Sequence, residues 1–332
     1  MSIKLLDCTL RDGGYVNDWN FTEDAYKDIT SSMQNSGVDF IELGIMGKHN
    51  DDHFKTKFNS LQEIPIPEKI NDNVKFTVMM TGNEYEKLSI PEYQKGSIDA
   101  IRFAFFKADW KQAVKQMKSL IGKGYSVFSQ TMATFQYSDD EMKELIEEIN
   151  KIRPLAFYIV DSFGTFYNSD IKRLYDVVND NLDENISFGI HAHNNLQMAN
   201  SNTIYFMELG KGRNIIADGS IYGMGRGAGN AGTELLMKYL NSIGKKYNDR
   251  LVWELYKKHI KPIGEEYSWG YLPEQFLVSK YHTNPAYIWY LSTKGITEFS
   301  DIEKILVGIP DEKRYTLYRD VVDSLLYNTE KK

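Results

Sequence analysis

Three stretches of the sequence combine residue types that could bind a metal ion and act on a ligand. Arg11 and Asp12 directly follow the first apolar run, and His191 and His193 lie two residues apart in GIHAHNN. Asn230 lies in the glycine-rich stretch DGSIYGMGRGAGNAGTE. Two imidazoles with carboxylate and amide oxygens suit a divalent ion of borderline hardness, with positions left for water or a substrate. Manganese, magnesium, cobalt and zinc all fit this set of ligands, and we expect manganese.

The spacing of the two histidines supports a shared ligand. Side chains at i and i+2 of a strand point to the same face, so His191 and His193 can both reach one ion. Alone, such a pair could equally be two buried histidines with satisfied hydrogen bonds. The neighbouring Arg11 and Asp12 motif and the glycine-rich stretch favour the metal site. Beside a metal ligand, Arg11 could stabilise the oxyanion that develops when a 2-oxo acid loses a bond next to its carbonyl.

The stretch from Gly223 to Gly232 carries five glycines. Such a loop lets the backbone approach a ligand closely, and it could also bind a phosphate before the helix that follows. It does not have the spacing of a P-loop, and no Lys-Ser/Thr pair follows it.

Short apolar runs recur along the chain and predict the elements that position these residues. Their starts lie 24 to 36 residues apart, and helical patterns separate most of them. The predicted strands are Ile3–Leu10, Val38–Ile45, Val74–Met80, Ile98–Phe106, Tyr125–Met132, Leu155–Asp161, Ile186–His193 and Asn214–Tyr222. Eight such units predict a (β/α)8 TIM barrel over residues 1–244. We favour it over a doubly wound open sheet because no GxGxxG follows the first strand.

Residues 245–332 have a different character. Helical patterns rich in tyrosine, such as RYTLYRDVVDSLLYN, replace the alternation of strands and helices. We interpret this segment as a helical C-terminal extension that serves as a lid or a dimer surface.

The composition excludes several classes of protein. Of 332 residues, 42% are hydrophobic and 26% charged, and the net charge of −7 argues against a nucleic-acid surface. No apolar run approaches the roughly 20 residues of a membrane span. Cys8 is the only cysteine, so no intramolecular disulfide can form. We expect a cytoplasmic protein that has no nucleic-acid or membrane partner.

Together, LDCTLRDGG, GIHAHNN and DGSIYGMGRGAGNAGTE resemble the metal-dependent aldolase/lyase superfamily. That superfamily contains 4-hydroxy-2-oxovalerate aldolase, hydroxymethylglutaryl-CoA (HMG-CoA) lyase and the isopropylmalate-synthase-type Claisen enzymes. The resemblance implies a TIM barrel with a divalent ion on Asp12, His191 and His193. It further implies that Asn230 is an additional ligand or near-ligand and that Arg11 stabilises an enolate.

Within this superfamily the aldolase branch is the most similar, over about residues 3–240. GMGRGAGNAG is similar to the glycine loop of that branch, whereas the lyase branch carries a cysteine there. VDSFG resembles the end of the sixth strand of the aldolases, which implies that Ser162 lies near the pyruvyl group. The C-terminal segment is too short for the regulatory domain of isopropylmalate synthases.

One departure from the family concerns the general base. The bacterial catabolic aldolases have a histidine shortly after the arginine–aspartate pair, and this sequence has Tyr15 there. Tyrosine is a weaker base than histidine at neutral pH because phenols ionise near a pH of about 10. We therefore predict that Tyr15 orients the substrate hydroxyl or acts as an acid. His282 is a further catalytic candidate, with His49 and His53 as others, and Tyr287 is a candidate for substrate binding.

The resemblance implies a metal-dependent pyruvate aldolase, which cleaves or forms a 4-hydroxy-2-oxo acid from pyruvate and an aldehyde. The alternative is a Claisen-type acyl-CoA synthase or lyase. A third hypothesis is a barrel subunit without catalytic activity. The expected partners are small molecules, a 2-oxo acid and an aldehyde. Some aldolases of the family pair with an acylating aldehyde dehydrogenase. We expect a homo-oligomer, formed through the helical extension.

Overall fold

Parallel strands form the centre of the protein. The computed structural model describes residues 2–50, 53–70 and 72–330. Its strands are β1 (Ile3–Asp7), β2 (Phe40–Met46), β3 (Lys57–Phe58), β4 (Lys75–Thr81), β5 (Ala100–Phe105), β6 (Ser126–Thr131), β7 (Ala156–Asp161), β8 (Ser187–Ala192) and β9 (Ile215–Gly219). β1 pairs in parallel with both β2 and β9, which closes eight of these strands into a ring. The short β3 pairs only with β2. The predicted (β/α)8 TIM barrel is therefore confirmed.

Each of the eight predicted apolar runs overlaps a barrel strand, but five strands, β1, β5, β6, β8 and β9, end earlier than predicted. β1 ends at Asp7, not Leu10, because the backbone N–H groups of Arg11 and Asp12 donate to the carbonyl of Cys8 and start a helical turn. β8 ends at Ala192 and β9 at Gly219. The chemical motifs thus lie at or just beyond the strand ends, at the carboxyl face of the barrel.

Helices surround the barrel. They are α1 (Thr9–Asp12), α2 (Gly14–Asn17), α3 (Glu23–Ser36), α4 (Gly82–Lys87), α5 (Trp110–Gly122), α6 (Asp139–Ile152), α7 (Asn168–Asn179), α8 (Ala199–Leu209) and α9 (Thr233–Ser242). The side chain of Thr22 caps α3 by accepting from the N–H of Ala25, and Ser138 with Glu141 forms a capping box at the start of α6. These caps fix where the helices begin and therefore the lengths of the loops that precede them.

The inside of the barrel has two layers, because inward-facing side chains recur every second residue. The lower layer is apolar and contains Phe40, Ala100, Phe128, Ala156 and Ile216. Two residues further along the same strands, the upper layer is polar and contains Glu42, Arg102, Gln130, Tyr158 and Asp218, all buried. The barrel thus places a charged layer directly beneath its carboxyl face.

The predicted C-terminal extension is helical. It comprises α10 (Asp249–Leu255), a π-helical turn at Tyr256–Ile260, α11 (Lys261–Glu266), α12 (Pro273–Lys280), α13 (Ala286–Thr293), α14 (Phe299–Gly308) and α15 (Arg319–Glu330). α12 to α15 enclose an apolar cluster of their own, separate from the barrel core. Its role as a lid or dimer surface, and its boundary at residue 245, stay predictions. Within the described ranges, no helix has the length and apolar character needed to cross a bilayer.

Candidate active site

Arg11 and Asp12 are buried in the helical turn α1, with exposed fractions of 4% and 1%. A carboxylate and a guanidinium at so low an exposure need partners, because burial removes their hydration. They bond to one another, and the indole N–H of Trp19 donates to the carbonyl of Arg11 at 2.8 Å. The turn after β1 therefore holds both side chains in fixed positions above the barrel.

The two histidines lie at the end of β8, with ring centroids 5.0 Å apart. His191 Nδ1 lies 3.0 Å from Asp218 Oδ2, and His193 Nδ1 lies 3.2 Å from the carbonyl oxygen of Gly229. A carboxylate or carbonyl at Nδ1 favours the tautomer with the proton there, which leaves Nε2 with a free lone pair. Both rings are thus arranged as ligands that coordinate through Nε2.

Asp12, His191 and His193 form a group that could hold a metal ion. One ligand atom from each lies within 4.8 Å of the others. Asn230 joins them, since its Nδ2 donates to Asp12 Oδ2 at 2.7 Å. His191 Nε2 and Asn230 Oδ1 are buried and have no hydrogen-bond partner. Unpaired buried acceptors are costly, so these two atoms fit a divalent ion as their missing partner.

The protonation states of the triad also fit a metal ion. Burial alone would raise the pKa of Asp12, but Arg11, His193 and His191 hold that pKa well below its usual range. Burial lowers the pKa of His193 to about 3, against the opposing charge of Asp12. At neutral pH the carboxylate is therefore ionised and the imidazole of His193 is neutral, which are the states that bind metals.

A chain of buried ion pairs runs from Arg11 through Glu42 to Arg102 across the inside of the barrel. Arg11 Nε donates to Glu42 Oε2 at 2.8 Å, and Arg102 Nη1 donates to the same oxygen at 2.6 Å. Glu42 and Arg102 are completely buried. Arg11 Nη2 is buried without a partner, so this guanidinium keeps one donor available for a ligand.

The chain of ion pairs ends at Asp218, which the sequence analysis did not identify. Arg102 Nη2 donates to Asp218 Oδ2, and the hydroxyl of Tyr158 donates to Asp218 Oδ1 at 3.0 Å. Because Asp218 also faces His191 Nδ1, it forms a carboxylate–histidine pair behind the triad. The available sequence signal was a carboxylate within IIADG, an otherwise apolar strand.

The glycine loop covers the triad. The backbone N–H of Arg226 donates to Asp12 Oδ2 at 3.2 Å, and that of Asn230 donates to the carbonyl of Gly223 at 2.9 Å. A Cβ atom on Gly225 would lie 2.2 Å from Asn230 Nδ2 and 2.6 Å from Asp12 Oδ2. A side chain at position 225 would therefore clash with Asn230 and Asp12. Glycine at this position lets the loop approach both residues closely, as the sequence predicts.

Tyr15 and Ser162 differ in their exposure to solvent. Tyr15 is 41% exposed and lines a cavity of about 700 Å³ next to the glycine loop. Ser162 is buried just beyond β7, and its Oγ accepts a hydrogen bond from the N–H of Ala133 at 2.8 Å. Tyr15 is therefore accessible to a ligand, whereas Ser162 holds the loop after β6 in place and retains its own O–H for donation.

His282 and Tyr287 are not brought to the triad. The ring of His282 packs on Phe135, with centroids 4.8 Å apart. Tyr287 is fully buried in the cluster of α12 to α15, and its hydroxyl oxygen lies 2.6 Å from the carbonyl oxygen of Lys313 and 2.8 Å from that of Thr316. This hydroxyl has no free surface for a substrate. The roles predicted for both residues have no support in these contacts.

Comparisons with known proteins agree with the geometry. The HMGL-like family model matches residues 99–254. Oxaloacetate decarboxylase of Mycobacterium tuberculosis is 24% identical over 251 residues, which cover 72% of this chain and 70% of that protein. 4-Hydroxy-2-oxovalerate aldolase of Bacillus cereus is 25% identical over 247 residues, which cover 74% of this chain and 71% of that protein.

Solved structures show the same barrel. The N-terminal domain of a provisionally named aldolase from Bacteroides vulgatus superposes with a TM-score of 0.74 at 27% identity, covering 90% of this chain and 98% of that chain. HMG-CoA lyase of Bacillus subtilis superposes with a TM-score of 0.59 at 14% identity, covering 84% and 97%, and shows the fold alone. Residues 99–254 thus resemble the HMGL-like family, and the closed barrel is the fold that these solved structures share with the chain.

Proposed function

We propose that the chain is a divalent-metal-dependent carbon–carbon lyase, an aldolase that cleaves or forms 4-hydroxy-2-oxo acids. The observation that carries this proposal is the triad of Asp12, His191 and His193, with a buried unpaired acceptor on His191 and a buried unpaired donor on Arg11. Relatives named 4-hydroxy-2-oxovalerate aldolase, at about a quarter identity, support the same reaction class.

Asp12, His191 and His193 would hold the ion, with Asn230 as an additional or near ligand. A divalent ion there supplies Lewis acidity, which stabilises negative charge on the oxygens of a 2-oxo acid. Arg11 Nη2 would donate to the oxyanion that develops as the C3–C4 bond breaks. Because Asp12 and Glu42 fix the other guanidinium nitrogens, Arg11 can do this without first being reoriented.

The charge of the buried network supports an anionic substrate. The two guanidinium groups of Arg11 and Arg102 face the three carboxylates of Asp12, Glu42 and Asp218, which leaves one negative charge. Binding of a divalent ion would change this to one positive charge. A 2-oxo acid carries a carboxylate, so its binding would then be favoured by the whole network.

Tyr15 would contact the 4-hydroxyl. In cleavage, this hydroxyl gives its proton to a base, the C3–C4 bond breaks to give an aldehyde and a pyruvate enolate, and protonation of the enolate at C3 gives pyruvate. Tyr15 lines the cavity beside the glycine loop, where it could orient this hydroxyl or donate a proton to the alkoxide in the reverse direction. His282 packs on Phe135 instead.

Decarboxylation of oxaloacetate is a second candidate, because it also leaves a pyruvate enolate. The relative from Mycobacterium tuberculosis bears that name. A Claisen-type reaction on an acyl-CoA is a third. The HMG-CoA lyase branch carries a cysteine in its glycine loop. Here the one cysteine, Cys8, is completely buried and its thiol donates to the carbonyl of Gly219, so no thiol is available at the glycine loop.

A pyruvate-release assay tests the proposal. We expect manganese to support the release of pyruvate from at least one member of a panel of 4-hydroxy-2-oxo acids, and EDTA to stop it. Lactate dehydrogenase with NADH reports the pyruvate. Metal-dependent pyruvate from oxaloacetate alone would favour decarboxylation, and release of coenzyme A from an acyl-CoA with a 2-oxo acid would favour the Claisen reaction.

Several expectations about this enzyme stay predictions. They are manganese as the preferred ion, a homo-oligomer formed through the helical extension, pairing with an aldehyde dehydrogenase, and the cytoplasm as its location. Each is compatible with the proposed reaction, and none is needed for the arrangement of the triad.

A further inference from the structure

A cavity of about 700 Å³ lies beside the triad of Asp12, His191 and His193. Its walls come from the segment after α1, the glycine loop, and the C-terminal extension. Five aromatic residues line it: Tyr15, Trp19, Tyr267, Trp269 and Trp289. A volume of this size accommodates a small organic ligand.

The cavity shares a wall with the triad. Gly225, Arg226 and Gly227 line it, and the N–H of Arg226 donates to Asp12 Oδ2 at 3.2 Å. The glycine at 225 leaves no side chain between the loop and Asp12. A substrate whose reacting carbons lie at the triad would therefore extend its remaining atoms into this cavity.

Arg226 brings a cation to the cavity. Its side chain is half-buried, its Cζ lies 5.2 Å from the ring centroid of Tyr15, and its Nη2 donates to Asn284 Oδ1. Asn284 is itself fixed, because its Nδ2 donates to the carbonyl of Tyr315 at 2.8 Å. The guanidinium is thus held in place by neutral groups.

No carboxylate within the described residues forms an ion pair with Arg226. Asp18 also lines the cavity, but its Oδ2 accepts from Lys55 Nζ at 2.6 Å. A guanidinium carries five N–H donors, and a neutral amide and an aromatic face leave several of them for a ligand. The positive charge beside the glycine loop is therefore uncompensated by the protein.

We propose that Arg226 selects aldehydes that carry an anionic group, a carboxylate or a phosphate, at the end remote from the reacting carbonyl. The inference rests on the proposed aldolase function and adds the substrate class. Tyr15, Trp19 and Trp289 would pack against the carbon chain of the aldehyde, and Arg226 would bind its charged end. Carboxylate and phosphate are the groups that guanidinium binds through paired hydrogen bonds.

The test is aldol addition of pyruvate to matched aldehydes in the presence of manganese. Succinic semialdehyde against pentanal examines a carboxylate, and glyceraldehyde 3-phosphate against glyceraldehyde examines a phosphate. We expect the wild type to prefer the charged member of at least one pair. R226Q should lower that ratio of kcat/KM about ten- to a hundredfold, the range for a hydrogen bond to a charged group.

Two variants control for indirect effects. R226K keeps the charge without the planar fork and should retain part of the preference. R319Q removes an arginine whose Cζ lies 5.8 Å from the ring centroid of Trp289 and that is not among the residues lining the cavity, so its ratio should equal that of the wild type. Thermal unfolding of each variant identifies any loss of fold.

The outcomes separate the inference from the function on which it rests. Pyruvate addition with no preference for either charged aldehyde, or a ratio in R226Q within about twofold of the wild type, overturns the inference alone. No metal-dependent product with any aldehyde, and no pyruvate release from the 4-hydroxy-2-oxo acids, contradicts the proposed function, and the inference falls with it.

Discussion

Replacing His191 by alanine should remove metal-dependent turnover, with a loss in kcat on the order of a thousandfold or more. The substitution deletes one of three candidate ligands. A Lewis acid is worth several kcal/mol of transition-state stabilisation, and each 1.36 kcal/mol corresponds to a factor of ten in rate. Manganese binding, measured by isothermal titration calorimetry, should weaken in parallel with pyruvate release.

The matched control is His259→Ala. His259 Nε2 pairs with Asp28 Oδ2 at 2.7 Å, between the π-helical turn and α3 on the outside of the barrel. This variant should keep wild-type metal affinity and turnover. Full activity in H191A with an unchanged melting temperature would show that the triad does not hold the catalytic ion.

Replacing Arg102 by methionine should destabilise the protein by about 3–5 kcal/mol, the range for breaking a buried ion pair by removing one partner. The change leaves Glu42 and Asp218 buried without the guanidinium that separates them. Arg11 remains near Glu42, but Asp218 keeps only Tyr158 and His191. Chemical denaturation, followed by far-UV circular dichroism, measures the free energy of unfolding.

The control for this prediction is Arg173→Met, which breaks a partly exposed ion pair with Asp139 on the helical surface. Pairs of this kind contribute roughly 0–1 kcal/mol. A loss in R102M no larger than in R173M would show that the buried network contributes little to stability. The network would then act only by orienting His191 and Arg11.

The strands and the candidate metal ligands were predictable from the sequence for local reasons. Most barrel strands are largely apolar and buried on both faces, so consecutive apolar residues indicate where they lie. His191 and His193 share a face because they lie two residues apart, and Asp12 follows the first strand. Closure of the barrel then brings these residues together without further information.

The charged layer was not predictable, because its pairs join residues far apart in the chain. Arg102 bonds to Glu42 and to Asp218, which lie 60 and 116 positions away. Nothing in the neighbouring sequence specifies such a partner. The end of β1 was placed three residues too late, since Leu10 continues the apolar pattern although the chain has already turned at Cys8.

The predictions for His282 and Tyr287 rested on residue type alone. A histidine and a tyrosine in the C-terminal segment suit an active site chemically, but packing decides their surroundings. Tyr287 fills the core of the extension, and His282 packs on Phe135. Arg226 lies among the glycines of the loop and was not identified as a candidate from the sequence. Its backbone N–H donates a hydrogen bond to Asp12.

Exchange of the C3 protons of pyruvate in D₂O directly tests enolate formation at the candidate metal site, because it needs the enolate and no aldehyde. After incubation with enzyme and manganese, mass spectrometry of pyruvate counts the deuterium at C3. We expect exchange well above the buffer rate that stops with EDTA, returns on addition of manganese, and is absent in H191A. Exchange at the buffer rate, or at the same rate with and without EDTA, would contradict metal-dependent enolate chemistry at Asp12, His191 and His193.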